Sequence, residues 1–242
     1  MIESFVKKLN EKNKDYYGKP QVTVAFIGDS VTQGCFELAP TSETGFYAVC
    51  RPWEAYSEKF KRLLNNFYPN AYLNIVNAGL SGDGSENGFK RLGRDVLPYK
   101  PDLVVVAFGL NDCGRKADGL DAYVNNIRSI VKACREAGSE VIFMSANGMC
   151  EYADGGIAQK SQFDIAANVA KTQNEGWCRK YFEAAGKAAV EEGGYFADAN
   201  GRWEAMSRNG ADMTKQLSNR INHPTADLHW LFAATLFETI FF

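Results

Sequence analysis

Apolar and polar positions along the chain alternate between two periods. Ile2, Phe5, Val6 and Leu9 fall on one stripe and predict an amphipathic helix over the first dozen residues. Val22 to Ile27 is a short apolar run rich in β-branched residues, ended by Gly28, and predicts a buried strand. Residues 33–52 carry Gly, Pro, Ser and Thr without a clear period and read as a loop. Helical spacing returns over 53–67 through Trp53, Tyr56, Phe60, Leu63, Leu64 and Phe67, stopped by Pro69. A second strand is expected from Tyr72 to Val76, a helix over 86–97, and the clearest strand from Leu103 to Phe108. A helix over about 119–137 with Gly138 at its C-terminal end precedes a fourth strand, Val141–Met144. Residues 164–192 read as helix interrupted near Gly176 and Gly186; Tyr195–Ala197 is a short fifth strand, and Pro224 to Phe242 a closing apolar helix.

Strands that are continuous apolar runs, alternating with helices, belong to a parallel sheet covered on both faces. The fold expected is therefore α/β, a three-layer α/β/α sandwich on a mostly parallel five-stranded sheet. At 242 residues, one domain spanning 1–242 is expected.

Composition narrows the function. Hydrophobic residues are 45%, charged residues 23% and the net charge −2, values of an ordinary folded domain. No Lys/Arg run could track a phosphate backbone, so nucleic acid is not an expected partner. No apolar stretch is long enough to span a bilayer, so no membrane partner is expected either. The start, Met1 to Lys8, lacks the apolar run of a signal peptide. Six cysteines, at 35, 50, 113, 134, 150 and 178, show no zinc spacing. They are expected as reduced thiols of a cytoplasmic protein, with Cys35–Cys50 the one pairing weighed as a bridge.

In an open α/β sheet, ligands bind beyond the carboxyl ends of the strands. After the first strand comes Gly28-Asp29-Ser30-Val31-Thr32-Gln33-Gly34; after the second, Asn77-Ala78-Gly79-Leu80-Ser81-Gly82-Asp83-Gly84; after the third, Gly109-Leu110-Asn111-Asp112. Asn222-His223-Pro224 stands before the last helix. Alone, each is ordinary: a capping Asp29, a glycine turn, a helix-entry residue. Their joint order places a hydroxyl nucleophile, a base, a flexible backbone donor and an amide donor on one rim, the parts that acyl transfer needs. No metal or other cofactor is called for. Of the two histidines, His223 precedes a proline on a loop, whereas His229 lies beside Trp230 and Leu231 and reads as packing or surface. Asp29 and Asp112 read as loop braces.

These blocks resemble the SGNH hydrolase superfamily, the GDSL-type esterases and lipases, and in detail a bacterial branch of it. The resemblance implies a flavodoxin-like sandwich and a serine esterase. It places the nucleophile at Ser30, the base at His223, and oxyanion donors at Gly82 and Asn111, joined by the Ser30 N–H. Val31 stands where the name-giving motif has leucine. The family's aspartate three residues before the histidine is here Arg220, a cation that cannot accept the ring proton. Either Ser30 and His223 act as a dyad with a backbone carbonyl orienting the ring, or Asp198, Asp212 or Asp227 substitutes.

The resemblance leaves acetylated sugars, short acyl esters, lysophospholipids and thioesters as substrates. Two loops, 33–52 and 147–163, are expected to flank the cleft. They carry Phe36, Phe46, Tyr47, Arg51, Met149 and Tyr152 among polar residues such as Glu37, Thr41, Ser42, Glu43, Asn147, Glu151, Asp154 and Lys160. That mixture suits a carbohydrate ester with a small, acetyl-sized acyl group better than a long lipid. The competing readings are a lysophospholipase or thioesterase of the same family, a degenerate member that only binds glycan, and a flavodoxin-like cofactor binder. The last lacks G-x-G-x-x-G after the first strand.

Overall fold

The computed structural model of the chain describes residues 2–39 and 47–242. Its centre is a five-stranded sheet of β1 (Thr23–Gly28), β4 (Asn74–Gly79), β5 (Leu103–Ala107), β6 (Glu140–Met144) and β7 (Tyr195–Ala197). The spatial order is β4-β1-β5-β6-β7 and every pairing is parallel. That is the doubly wound order whose ligand crevice opens at the carboxyl ends of β1 and the strand beside it, here β5. Strands β1, β5 and β6 are buried almost throughout, which is why they read as unbroken apolar runs.

Helices cover both faces. On one, α3 (Tyr56–Phe67) packs against α9 (His229–Phe241), and the Ile2 N–H ahead of α1 (Glu3–Lys14) bonds the Ile240 carbonyl. On the other lie α4 (Ser85–Asp95), α5 (Lys116–Glu136) and α7 (Trp177–Glu191). Aromatic edges from Tyr56 and Phe60 meet Phe26 of β1 at 5.6 and 6.0 Å, tying α3 to the sheet. A short α2 (Ser30–Gln33) follows β1 directly.

Four expectations need correction. The stretch 33–52 is not all loop: β2 (Cys35–Ala39) and β3 (Tyr47–Cys50) form an antiparallel hairpin. Its strands are short and half-exposed, so neither period stands out in the sequence. Cys35 and Cys50 face each other in that ladder and are disulfide-bonded, so not all six cysteines are free thiols. Gly186 does not interrupt α7; the Phe196 ring lies where its side chain would be, and a Cβ would come within 2.7 Å of it. The last helix begins at His229, not at Pro224.

A second apolar cluster lies beside the main core. Cys150, Ala166, Ala170, Trp203, Met213, Leu217 and Ile221 join the loop after β6, α6 (Lys160–Asn174), α8 (Ala199–Arg208) and the segment leading to His223. Helix α8 has no counterpart in the reading of the sequence. No helix among the described residues is long and apolar enough to cross a membrane. Thr41, Ser42, Glu43 and Phe46, expected in a cleft loop, lie outside the described residues.

Candidate active site

Ser30 is the first residue of α2, entered straight from the end of β1. Asp29 caps the turn, its Oδ1 accepting the Val31 N–H at 2.9 Å. The helix geometry leaves the Ser30 N–H without an intrahelical partner. Burial pushes the Asp29 carboxyl up to about 7, with the charges of Asp112 and Asp83 adding to the shift. Its role here is structural: it holds the turn that presents Ser30.

His223 stands opposite, its Nε2 2.9 Å from Ser30 Oγ. Nδ1 lies 3.0 Å from the Phe36 carbonyl oxygen of β2. A carbonyl only accepts, so Nδ1 carries the proton and Nε2 is left as the acceptor facing the serine hydroxyl. Both side chains are nearly buried, 4% and 5% exposed. Burial lowers the His223 pKa below the ordinary histidine value, while the Phe36 bond and the Glu37 charge pull the other way. The ring is therefore held neutral near pH 7, the state a general base needs.

The loop carrying His223 is irregular and densely bonded. Asn219 Oδ1 accepts the N–H groups of Ile221, Asn222 and His223, each at 2.9 Å. Asn147, fully buried, donates to the Asn222 carbonyl at 2.8 Å. The Cys150 N–H bonds the Ile221 carbonyl, and the Ser218 N–H the His223 carbonyl. Arg220 sits at positive φ with its guanidinium on the Lys215 carbonyl and near Asp154, away from the ring.

Two of the three candidate acids are engaged elsewhere, and the third is not bonded to the ring. Asp198 caps α8 and pairs with Arg179. Asp212 accepts from Tyr152 and the Lys215 N–H. Asp227 lies in the turn before α9 instead of inside the helix. Both His223 nitrogens are already occupied by Ser30 and Phe36, so none of the three holds the ring.

Gly82 and Asn111 reach the same cleft. Gly82 sits at φ +76 with open space where a side chain would be, a conformation that favours glycine. Asn111 Nδ2 donates one proton to the Asp83 carbonyl at 2.7 Å, fixing the amide beside Gly82. Asp112 accepts from the Ser85 N–H and hydroxyl and so anchors the start of α4.

Sequence reasoning overlooked several residues that build this rim. Gln33 Oε1 accepts the Ser81 N–H at 2.7 Å and joins the first loop to the second. Asn77 donates to the Thr32 carbonyl and accepts from Gly79. The buried Arg91 guanidinium bonds Asp83 and the carbonyls of Gly28 and Ala78, clamping the ends of β1 and β4. A buried arginine on a helix gives no periodic signal that separates it from a surface one. His229 is fully buried; its Nδ1 accepts the Tyr56 N–H at 3.0 Å, and burial pushes its pKa down to about 3.

The cleft itself holds about 460 Å³. Besides Ser30, Gly82, Asn111 and His223, its walls are apolar at Leu38, Tyr47, Ala48, Leu110, Met149, Ile165, Val169 and Ile221 and polar at Ser81, Asn219 and Asn222. Four of the polar residues expected in the lining have other partners. Asn147 is consumed in holding the histidine loop, Glu151 accepts from Ser207, Asp154 pairs with Lys215, and Lys160 pairs with Asp164.

Known proteins resemble this chain in sequence and in fold. The family model described as GDSL-like Lipase/Acylhydrolase matches residues 26–231. An acetylxylan esterase of Geobacillus stearothermophilus is 33% identical over 129 residues, 50% of this chain and 57% of that protein. Esterase TesA of Pseudomonas aeruginosa is 29% identical over 122 residues, 50% of this chain and 53% of that one. The chain thus spans about half the length of these curated relatives. The solved structure of Axe2, an acetylxylan esterase from Geobacillus stearothermophilus, superposes with a TM-score of 0.66 at 23% identity, covering 91% of this chain and 94% of that one. Other Axe2 structures are of catalytic mutants altered at a serine, an aspartate and a histidine.

Proposed function

The chain belongs to the GDSL-like lipase/acylhydrolase family, and from that premise we propose that it is a serine esterase. It removes small acyl groups, acetyl foremost, from a carbohydrate. The reading rests on one observation: His223 Nε2 lies 2.9 Å from Ser30 Oγ, with Nδ1 turned to a backbone carbonyl. In that arrangement the ring accepts the hydroxyl proton as Ser30 attacks the ester carbon. The positive charge that develops on the ring is borne by the Phe36 carbonyl dipole and the nearby Glu37 carboxylate, without a bonded acid. Ser30 and Gly82 N–H groups and the second N–H of the Asn111 amide are the donors for the tetrahedral oxyanion. One such donor is worth about 3–4 kcal/mol. His223 then returns the proton to the leaving alcohol, and water releases the acyl group by the same steps in reverse order.

The carbohydrate alcohol is argued from two supports. The relatives that match include an acetylxylan esterase, and Tyr47, 56% exposed on the cleft wall, offers a ring face to a sugar. The expectation of a cytoplasmic protein rested on six reduced cysteines, and the Cys35–Cys50 bridge removes that footing.

The test pairs hydrolysis of p-nitrophenyl acetate with labelling by a fluorophosphonate. Turnover that the reagent abolishes, with the adduct mapped to Ser30, is the expected result. Acetate release from an acetylated xylooligosaccharide then tests the alcohol. Turnover that survives complete labelling would reject the nucleophile; no turnover and no labelling would favour the glycan-binding reading.

A further inference from the structure

The β2–β3 hairpin stands apart from the main sheet, and an isolated two-stranded hairpin is only marginally stable. Yet it supplies the group that turns His223. Pairing runs Cys35 with Cys50, Leu38 with Ala48 and Ala39 with Tyr47, and the register shifts between Cys35 and Leu38. Phe36 and Glu37 fall in that irregularity. Residues in a bulge are released from the ladder and re-aimed, and the Phe36 carbonyl points to His223 Nδ1 at 3.0 Å.

Three restraints converge on this bulge. The Cys35–Cys50 bond ties the strands immediately before it. Arg51, next to Cys50, grips Glu37 with two nitrogens at 2.6 and 2.9 Å, the bidentate geometry that fixes a guanidinium best. The same guanidinium lies over the Phe36 ring, 4.5 Å from its centroid. The residue whose carbonyl is used is thus held on both sides and from above.

We propose that the Cys35–Cys50 disulfide and the Glu37–Arg51 pair are positioning elements of the active site. They hold the bulged Phe36 carbonyl against His223 and so perform the orienting work that a bonded aspartate performs in a triad. Arg220 can then stand three residues before the histidine, because the ring is oriented from across the cleft. The proposal rests on the esterase reading above. It makes the activity sensitive to the redox state of a bond that touches no substrate.

A water-soluble trialkylphosphine is the probe. It takes up the oxygen of one water, is oxidised to the phosphine oxide, and leaves two thiols where the disulfide was. Cys50 is only half-buried and open to attack. Reduction is expected to lower kcat by at least about tenfold, since a misplaced tautomer costs a triad about 10⁴. KM stays within about twofold, far-UV circular dichroism is unchanged, and reoxidation restores the rate. The Cys35→Ala/Cys50→Ala variant starts at the lower kcat and ignores the phosphine.

Glu37→Gln keeps the bridge and reads the second restraint. The groups acting on His223 are Ser30 of α2, Glu37 of β2 with Arg51 paired to it, and His229 of α9. Removing the carboxylate and freeing the Arg51 charge disfavours the protonated ring, so the acidic limb of kcat/KM moves to lower pH and kcat falls. The charge acting through space would move that limb alone; the fall in kcat reads the positioning, and a role limited to folding would change neither in the folded protein. The proposal is overturned if reduced protein, with Cys35 and Cys50 verified as thiols by mass spectrometry, keeps its kcat and pH profile. It is equally overturned if reduction unfolds the chain while Glu37→Gln moves neither kcat nor the limb. A Ser30→Ala control separates the two levels: untreated protein without Ser30-dependent turnover sinks the esterase reading itself.

Discussion

Ser30 and His223 meet at 2.9 Å, but they are held by two kinds of structure. Ser30 is presented by regular elements. A buried strand ends, a capped turn follows, and the hydroxyl stands at the sheet's carboxyl edge. His223 is presented by almost none. Its loop is wrapped on the Asn219 carboxamide, hung from Asn147 and Cys150, and turned by a carbonyl from a hairpin 187 residues away in sequence. A nucleophile has to be exposed at one point, and a strand end does that. A base has to be exposed and rotated correctly, and rotation needs a partner on the far side.

The same difference decided what could be read. The apolar runs at β1, β5 and β6, and the Gly-Asp-Ser that follows β1, are local signals, and Ser30 and the five-stranded sheet follow from them. Asn111 and Gly82 were legible because each follows a strand. The Phe36 carbonyl was not, because a backbone acceptor has no side-chain signature and every residue carries one. Asn219 was not legible either, because its three bonds depend on the loop curling back. The hairpin was lost because its strands are short and half-exposed. The apolar wall was missed because it comes in part from Ile165 and Val169 of α6, a helix not assigned to the cleft.

Removing either member of the pair tests the comparison at its strongest. Ser30→Ala and His223→Ala are each expected to cut p-nitrophenyl acetate hydrolysis by several orders of magnitude. The double variant should be no worse than either, because residues acting as a unit are not additive. Ser30→Ala should leave the melting temperature nearly unchanged. His229→Ala is the contrast: it loses the acceptor of the Tyr56 N–H and costs stability, while kcat in the folded fraction is kept. An inactive but stable His229→Ala would place the base on the wrong histidine.

Asn219→Ala probes the irregular side alone. Three N–H groups lose their acceptor, and an unsatisfied buried group costs about 1–3 kcal/mol. A base displaced by about 1 Å loses on the order of 10² in rate. The expected outcome is a drop of about that size in kcat in the folded protein, with a clear fall in Tm of roughly 10 °C. The capping change on the other side, Asp29→Asn, keeps an acceptor for Val31 and should cost far less. If Asp29→Asn proved the more damaging in kcat, the serine side would be the delicate one.

Smaller effects are expected at the carboxylates. Asp198→Asn, Asp212→Asn and Asp227→Asn should each lower kcat by less than about tenfold, against about 10⁴ for a triad aspartate. Steady-state kinetics on the three variants settles it. A collapse at any one would mean that the loop rearranges in solution to bring that acid to Nδ1 in place of Phe36.

The smallest expected effect concerns the acyl group, and it separates two walls of one cleft. Part of the lining is polar, with Ser30, Gly82 and Asn111; Leu38, Met149, Ile165, Val169 and Ile221 make an apolar wall. Burying a methylene there is worth about 0.8 kcal/mol, so one or two carbons beyond acetyl gain affinity. The wall is short. Ile165 and Val169 are one helical turn apart, a spacing of roughly 5–6 Å between Cβ atoms, which a butyryl chain covers and an octanoyl chain overruns. Carbons past that edge stay in water and gain nothing. Across p-nitrophenyl acetate, butyrate, octanoate and palmitate, kcat/KM should therefore peak at acetate or butyrate and fall beyond, differing by at most about tenfold between the first two. The ratio is the quantity to follow because it reports transition-state binding. Val169→Ala should bring butyrate down toward acetate while leaving acetate nearly unchanged. A maximum at octanoate or longer would mean that the apolar wall continues past α6, and would displace the sugar ester in favour of a lipid one.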